Sequence, residues 1–130
     1  MANLTAQQVN DIADYLSAMA QVVGEYRYEN FENLSASQNQ QMKDLKASIV
    51  DIADRLYTLS ATLVMDDVQE FLAAIDKVTN EMKDTYKTLQ NIQKAINVAA
   101  AVVTLGSSIL SGKPQAIGQS INDLANTWQT

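Results

Sequence analysis

The chain has 130 residues, of which 47% are hydrophobic, and this is enough for one globular domain with one core. Its formal net charge of −6 argues against nucleic-acid partners, because phosphate backbones select basic surfaces. The chain has no Cys and no His, which excludes thiolate chemistry and removes the commonest general base and transition-metal ligand. We therefore predict a single domain over residues 1–130.

The first predicted helix covers residues 5–29. Its apolar residues recur every three or four positions, as on one face of a helix: Val9, Ile12, Leu16, Met19, Val23 and Tyr26. Thr5 and Gln8 have the spacing of a capping box at its start. Residues 1–4 lack the basic and apolar regions of a signal peptide, so we expect a chain that is cytoplasmic or exported without a cleaved signal.

An aromatic cluster lies at the end of this helix, where Tyr26, Tyr28 and Phe31 are interleaved with charged residues. One interpretation is a hydrophobic plug that closes the end of a helical bundle. The other is a contact patch for a protein partner, because Tyr is enriched at interfaces. The sequence leaves both interpretations open.

The second predicted helix covers residues 36–64 and follows a polar loop. Ser35 and Gln38 give it a capping-box pattern. Its apolar stripe consists of Met42, Leu45, Ile49, Ile52, Leu56, Leu59 and Leu63. The turn near Met65 is predicted to be very short, so we expect the second and third helices to be antiparallel neighbours.

The third predicted helix covers residues 67–111 and is much longer than the others. Asp66 with Gln69 fits a third capping box, and apolar residues keep helical spacing along the whole segment. A break at Gly106, Ser107 and Ser108 is the alternative, because Gly and Ser weaken helix interiors.

A fourth helix is predicted over residues 114–128. Gly112 stands where helices commonly end, and Pro114 stands where a new helix begins. The four segments together predict an all-α fold. We expect an elongated antiparallel four-helix bundle with heptad-like packing, in which helix 3 is much longer than the others.

Carboxylates recur at i, i+3 spacing on two predicted helices, as Asp11 with Asp14 and Asp51 with Asp54. Hard cations bind such oxygens, but neither an acidic loop with a Gly turn nor a Glu-x-x-His pair is present, so we interpret these residues as solvated helix faces. Ser and Thr lack an activating base, and no glycine-rich phosphate loop is present. We predict no catalytic, cofactor-binding or metal-binding residues, and therefore no enzyme.

The segment 95–112 carries no charge and lies between Lys94 and Lys113. A helix that is apolar all round must be covered on every side, and the fourth helix offers only one apolar stripe. The segment carries two apolar stripes, and the second consists of Val98, Val102, Leu105 and Ile109. The first helix covers this second stripe if it lies alongside; otherwise the stripe is left for a partner subunit or a bilayer. Each large aliphatic side chain that stays uncovered forfeits about 1.5–3 kcal/mol, so several together would drive association.

The first functional hypothesis is a non-enzymatic interaction or assembly protein. It would self-associate as a homo-oligomer, or bind a protein partner, through the apolar faces of helices 3 and 4. The predicted contact residues are Val98, Val102, Leu105, Ile109, Ile117, Ile121, Leu124 and Trp128. Val102→Glu is expected to dissolve the oligomer and to leave helix content nearly intact.

The alternative hypothesis is a membrane-active protein. The uncharged Ala- and Val-rich stretch at residues 95–112 resembles those of helical pore-forming toxin subunits. The small, Cys-free, Gln- and Asn-rich composition is also similar to that of helical proteins exported by bacterial secretion machines. These resemblances imply a secreted protein that inserts residues 95–112 into a bilayer. No motif in the chain assigns it to a family.

Overall fold

The computed structural model describes residues 2–59, 64–65 and 68–129. These residues form five α-helices, namely α1 (Ala6–Glu29), α2 (Ala36–Thr58), α3 (Val68–Thr85), α4 (Ile92–Ser111) and α5 (Pro114–Gln129). Two short strands, β1 (Ala2–Asn3) and β2 (Val64–Met65), pair antiparallel with Ala2 opposite Met65. The all-α class is confirmed, whereas the count of four helices and a much longer third helix are not.

The predicted helix starts agree with the structure wherever it describes them. The Thr5 hydroxyl accepts a hydrogen bond from the Gln8 backbone at 3.1 Å, and the Gln8 side chain accepts one from the Thr5 backbone at 2.9 Å. Ser35 and Gln38 form the same pair of bonds. The third predicted capping box lies outside the described residues, because it requires Asp66.

The predicted third helix is divided between Thr85 and Ile92. A 3-10 turn covers Tyr86–Thr88, and Asn91 then caps α4 by accepting a hydrogen bond from the Lys94 backbone at 3.0 Å. The buried Tyr86 hydroxyl donates to the Ala95 carbonyl at 2.6 Å and so ties this turn to α4. The alternative break at Gly106 is also wrong, because α4 continues through it to Ser111.

The helices form a closed ring around the core. Going round, α1 packs on α2, α2 on α4, α4 on α5, α5 on α3, and α3 on α1. The prediction that the second and third helices are neighbours is wrong, because α1 lies between α2 and α3. Nine residues, 59–67, separate the two helices, and β2 pairs with β1 directly before α1. The connection therefore passes the start of α1 and brings α3 to its other side.

Pairs of contacting residues give the direction of each helix. In α1 and α2, Gly24 lies beside Lys46, whereas Ser17 lies beside Tyr57, so the two helices are antiparallel. Contacts of the same kind show that α4 and α5 are antiparallel. They also show that α1, α3 and α5 run in one direction. The bundle thus has three helices in one direction and two in the other.

Candidate functional site

The second apolar stripe of the uncharged segment lies in the core. Val98, Val102, Leu105 and Ile109 are each 0% exposed. Of the two alternatives that the sequence left open, cover within the chain is therefore the one that the structure has. The turn between α3 and α4 sends α4 back along the bundle, where α2 flanks it on one side and α5 on the other, and α1 also contacts it.

The other predicted contact residues, on α5, are also covered by the same chain. Ile117, Ile121 and Leu124 are buried against the core, and Trp128 is partly buried. The folded bundle therefore does not present the eight predicted contact residues as one open surface. Their contact with a partner or a bilayer stays a prediction, and it requires the bundle to open.

The outer face of α4 is polar without being charged. Its exposed residues are Gln93, Asn97, Thr104, Ser107 and Ser111. Among the described residues one helix, Ile92–Ser111, is long and apolar enough to cross a membrane, with a mean hydropathy of 1.4. Of its 18-residue apolar window, 44% is buried inside the bundle, and core helices of soluble proteins can have the same length and hydropathy.

Packed aromatic side chains connect the end of α5 to the turn between α3 and α4. The rings of Tyr86 and Trp128 are stacked with centroids 6.4 Å apart, and Tyr26 packs edge-on against Tyr86 at 5.3 Å. The Trp128 indole donates a hydrogen bond to the Glu81 carboxylate at 2.8 Å, and the Lys94 ammonium lies 5.5 Å from the Trp128 ring centroid. Burial raises the pKa of Tyr26 and Tyr86 above the usual range.

The most exposed large hydrophobic side chains occupy one part of the chain. They are Tyr28 at 83% exposure, Phe31 at 53%, Tyr57 at 43%, Val50 at 39% and Leu59 at 37%. All five lie on α1, on α2 or in the segments that directly follow them. Of the predicted aromatic cluster, only Tyr26 is buried, as a plug would be, whereas Tyr28 and Phe31 face solvent.

A groove between α1 and α2 is lined by two of these side chains, Tyr28 and Val50. This α1–α2 groove has a volume of about 420 Å³. It is lined by Ser17, Ala20, Gln21, Gly24, Glu25, Tyr28 and Glu29 from α1 and by Lys46 and Val50 from α2. The residues with small side chains on α1 keep the groove open, and Tyr28 and Val50 make its edges apolar.

Contacts of Lys46 and Tyr57 connect α2 to α1 at the groove and beyond it. The Lys46 side chain lies across Gly24, since a β-carbon on Gly24 would be 3.0 Å from the Lys46 Cδ, Cε and Nζ atoms. Beyond the groove, the Tyr57 hydroxyl donates to the Asp14 carboxylate and lies 3.5 Å from the Ser17 hydroxyl. The hydrogen bond to Asp14 raises the pKa of Tyr57. These contacts link α1 and α2 across their solvent-facing side.

Sequence reasoning missed this groove because it followed the core stripes. The sequence does contain a feature that could have shown it. Val50 and Tyr57 are large apolar residues that fall outside the helical stripe formed by Ile49, Ile52 and Leu56. A residue one position off a core stripe points toward a neighbouring helix or solvent. Tyr28 is out of phase with the stripe of α1 in the same way.

The chain's carboxylates do not assemble into a metal site in the part that the structure describes. Within residues 2–59, 64–65 and 68–129, no group of three or more Asp or Glu side chains is placed to hold a metal ion. No protein-family model, no curated protein and no solved structure matches this chain.

Proposed function

We propose that this protein is a non-enzymatic interaction protein that binds a protein partner through the outer face of α1 and α2. One observation carries the proposal: among the residues whose side chains are described, the most exposed large hydrophobic ones all lie on α1, on α2 or directly after them, and two of them, Tyr28 and Val50, line one groove. Exposed apolar side chains that line a groove with polar edges are typical of protein-binding sites. The sequence had instead favoured the apolar faces of predicted helices 3 and 4, which correspond to α3, α4 and α5 of the structure.

The composition of the face supports a protein partner. Tyr28 and Tyr57 supply large rings with a polar hydroxyl, and Tyr is favoured at interfaces for that combination. The small residues Ala20 and Gly24 leave a concave surface into which another helix could place its side chains. Covering Val50 and the two tyrosines would remove apolar surface from water at about 25 cal/mol per Å².

The proposal can be tested by photo-crosslinking in the cells that produce the protein. A photoreactive amino acid at Val50 is expected to give one discrete adduct, identified by mass spectrometry. The matched control is the same amino acid at Thr104, which is exposed on α4 and lies outside the α1–α2 groove. Adducts at both positions alike, or at neither, would contradict a specific surface on α1 and α2.

A second candidate function is membrane activity by the α4–α5 hairpin. The observation that favours it is the hydropathy of α4, together with the few charges in residues 92–129, which are Lys94, Lys113 and Asp123. Insertion would require α4 to leave α2 and α1 and expose its buried side. The acidic chain should then bind lipid better as pH falls, because carboxylates lose their charge.

A reversible disulfide between α2 and α4 tests this candidate function separately from the first. A β-carbon on Gly106 would lie 3.5 Å from the Ile52 β-carbon, which is within the range for a disulfide. The variant Ile52→Cys/Gly106→Cys would therefore fasten α4 to α2 in a chain with no other Cys. If the candidate is right, the wild-type chain releases dye from neutral liposomes, the oxidised variant does not, and reduction restores release. No leakage by the wild type at any pH or lipid composition removes it.

A further inference from the structure

We infer that the partner seated on the α1–α2 groove is a second copy of this chain, so that the protein is a homodimer through these helices. The inference rests on the proposed function and names its partner. Three features of the face carry it: the distribution of charge on its two edges, the symmetry that this distribution permits, and the area that two faces would bury.

The two edges of the groove carry opposite charge. Glu25 and Glu29 line it from α1, and Lys46 lines it from α2. Lys43 is exposed on α2, three residues before Lys46 and on the same side of the helix. Among the described residues, none of these four side chains forms an ion pair within the chain. An acidic edge and a basic edge therefore both remain available to an external partner.

Because α1 and α2 are antiparallel, the acidic residues of α1 lie at nearly the same heights along the bundle as the basic residues of α2. Gly24 lies beside Lys46, so the adjacent Glu25 is at nearly the same height along the bundle as Lys46. Advancing along α1 corresponds to going back along α2, which places Glu29 and Lys43 within about one helical turn of the same height. The acidic and basic edges thus run side by side in register.

A homodimer with a two-fold axis parallel to the helices would bring the acidic edge of each copy against the basic edge of the other. Turning a second copy by 180° about such an axis lays its α1 over α2 of the first copy without changing heights along the axis. Glu25 of each copy then faces Lys46 of the other, and Glu29 faces Lys43. A two-fold interface repeats every contact twice, so one complementary pair of edges gives two matched sets. A partner helix of a single charge would match only one edge.

The face is large enough for a stable dimer. The helices α1 and α2 have 24 and 23 residues. At 1.5 Å per residue each is about 35 Å long, and two helices about 10 Å wide present a face of roughly 700 Å². Two such faces approach the roughly 1,600 Å² of a standard interface. The exposed Val50 lies along the middle of this area and Tyr28 near one end of it, and the interface would cover both.

Charge reversal tests the arrangement. The wild-type chain is expected to sediment as a dimer at about 0.1 mM. Glu25→Lys and Lys46→Glu, each alone, put like charges opposite each other and are expected to raise the dimer dissociation constant at least about tenfold.

An equimolar mixture of the two variants restores both matched pairs. The lysine introduced in one copy meets the glutamate introduced in the other, while the native Lys46 of the first copy meets the native Glu25 of the second. That mixture is expected to dimerise within about threefold of the wild type. This result is the decisive one, because a role of these residues within one chain could not be repaired by a second chain.

The controls separate the interface from the fold. Lys77→Glu, which reverses an exposed lysine on α3, is the matched control and should leave the dimer intact. If a reversed variant does not fold, Glu25→Gln and Lys46→Gln give a smaller weakening of the same sign.

The outcomes distinguish this inference from the function on which it rests. A wild-type chain that stays monomeric at about 0.1 mM overturns the homodimer. A dimer that ignores both reversals, or a mixture that does not recover, overturns it as well. If the chain is monomeric and the Val50 crosslink nevertheless yields one other identified protein, the proposed function stands and only the second copy is wrong.

Discussion

Gly106 of α4 lies directly against Ile52 of α2. A β-carbon on Gly106 would be 2.8 Å from the Ile52 Cγ2 atom, closer than non-bonded carbons approach. The side chain of Ile52 is branched at its β-carbon and cannot swing away freely. This contact brings α2 close enough to cover one side of α4, and it is a reason why the uncharged helix is buried.

Gly106→Ala should therefore destabilise the protein although Ala is the better helix former. Overpacking at this contact is expected to cost about 1–3 kcal/mol of unfolding free energy, measured by urea denaturation. Gly118→Ala on α5 is the matched control, because nothing lies within 4 Å of a β-carbon there. That variant should gain about 0.5–1 kcal/mol from helix propensity. Equal effects at the two positions would contradict the close contact.

Val102→Glu should unfold the chain. The side chain is 0% exposed, so a carboxylate there would be buried without a partner and cost about 4 kcal/mol or more. This reverses the sequence-based expectation that helix content would survive. Thr104→Glu, two residues away on the exposed face, should leave the thermal midpoint and the circular dichroism spectrum nearly unchanged. A folded Val102→Glu protein would mean that α4 is not held in the core.

Trp128→Phe should loosen the end of α5. The substitution removes the indole donor to Glu81 and weakens the interaction with the Lys94 ammonium, for a loss of about 1–2 kcal/mol. Faster amide exchange is expected in the last turn of α5 and in the turn between α3 and α4. Glu81→Gln keeps an acceptor oxygen and should cost less. Exchange that rises equally across α2 would instead indicate a global effect.

Alkaline pH should destabilise the bundle through Tyr86. Burial raises the pKa of this phenol in the folded chain above its unfolded value of about 10, so the unfolded chain ionises first. The stabilisation is therefore complete below about pH 10 and is lost as pH rises toward the folded pKa, by about 1.4 kcal/mol per pH unit. Denaturation curves between about pH 9 and 12 would show the slope.

Tyr86→Phe should make that slope shallower, because the most deeply buried phenol with a raised pKa is gone, while costing about 0.5–1.5 kcal/mol at neutral pH through the lost bond to the Ala95 carbonyl. Tyr28→Phe, which changes an exposed ring, is the matched control. A slope that is unchanged in Tyr86→Phe would assign the alkaline transition to other groups.

Local sequence predicted helix starts better than helix ends, because the second helix ends at Thr58 and not at residue 64. The hydroxyl and side-chain amide of the Ser35–Gln38 pair satisfy donors only three residues away, so the motif works wherever the helix is placed. Gly112 adopts φ 70° at the end of α4, a conformation that its missing side chain permits. The all-α class followed from the same short-range spacing.

The break between α3 and α4 was not predicted because the apolar spacing continues through it. Met82, Leu89, Ile92 and Ile96 keep a three-to-four rhythm although the helix stops. The turn is fixed by contacts from other parts of the chain, including the Tyr26 hydroxyl, which donates to the Leu89 carbonyl at 3.1 Å. A periodic pattern shows which residues are apolar. It does not show where a hydrogen-bond donor from a distant part of the chain will lie.

Local residue patterns are enough to predict that the chain is helical, where most helices begin, and which residues are apolar enough to need cover, because these properties depend on neighbours within one or two turns. Which helices supply that cover depends on contacts between distant parts of the chain. Residues far apart, such as Ile52 and Gly106, meet when the ring closes, and their fit buries one uncharged helix on both flanks. The same closure leaves Tyr28 and Val50 outside, because they lie off the stripes of α1 and α2 that face the core.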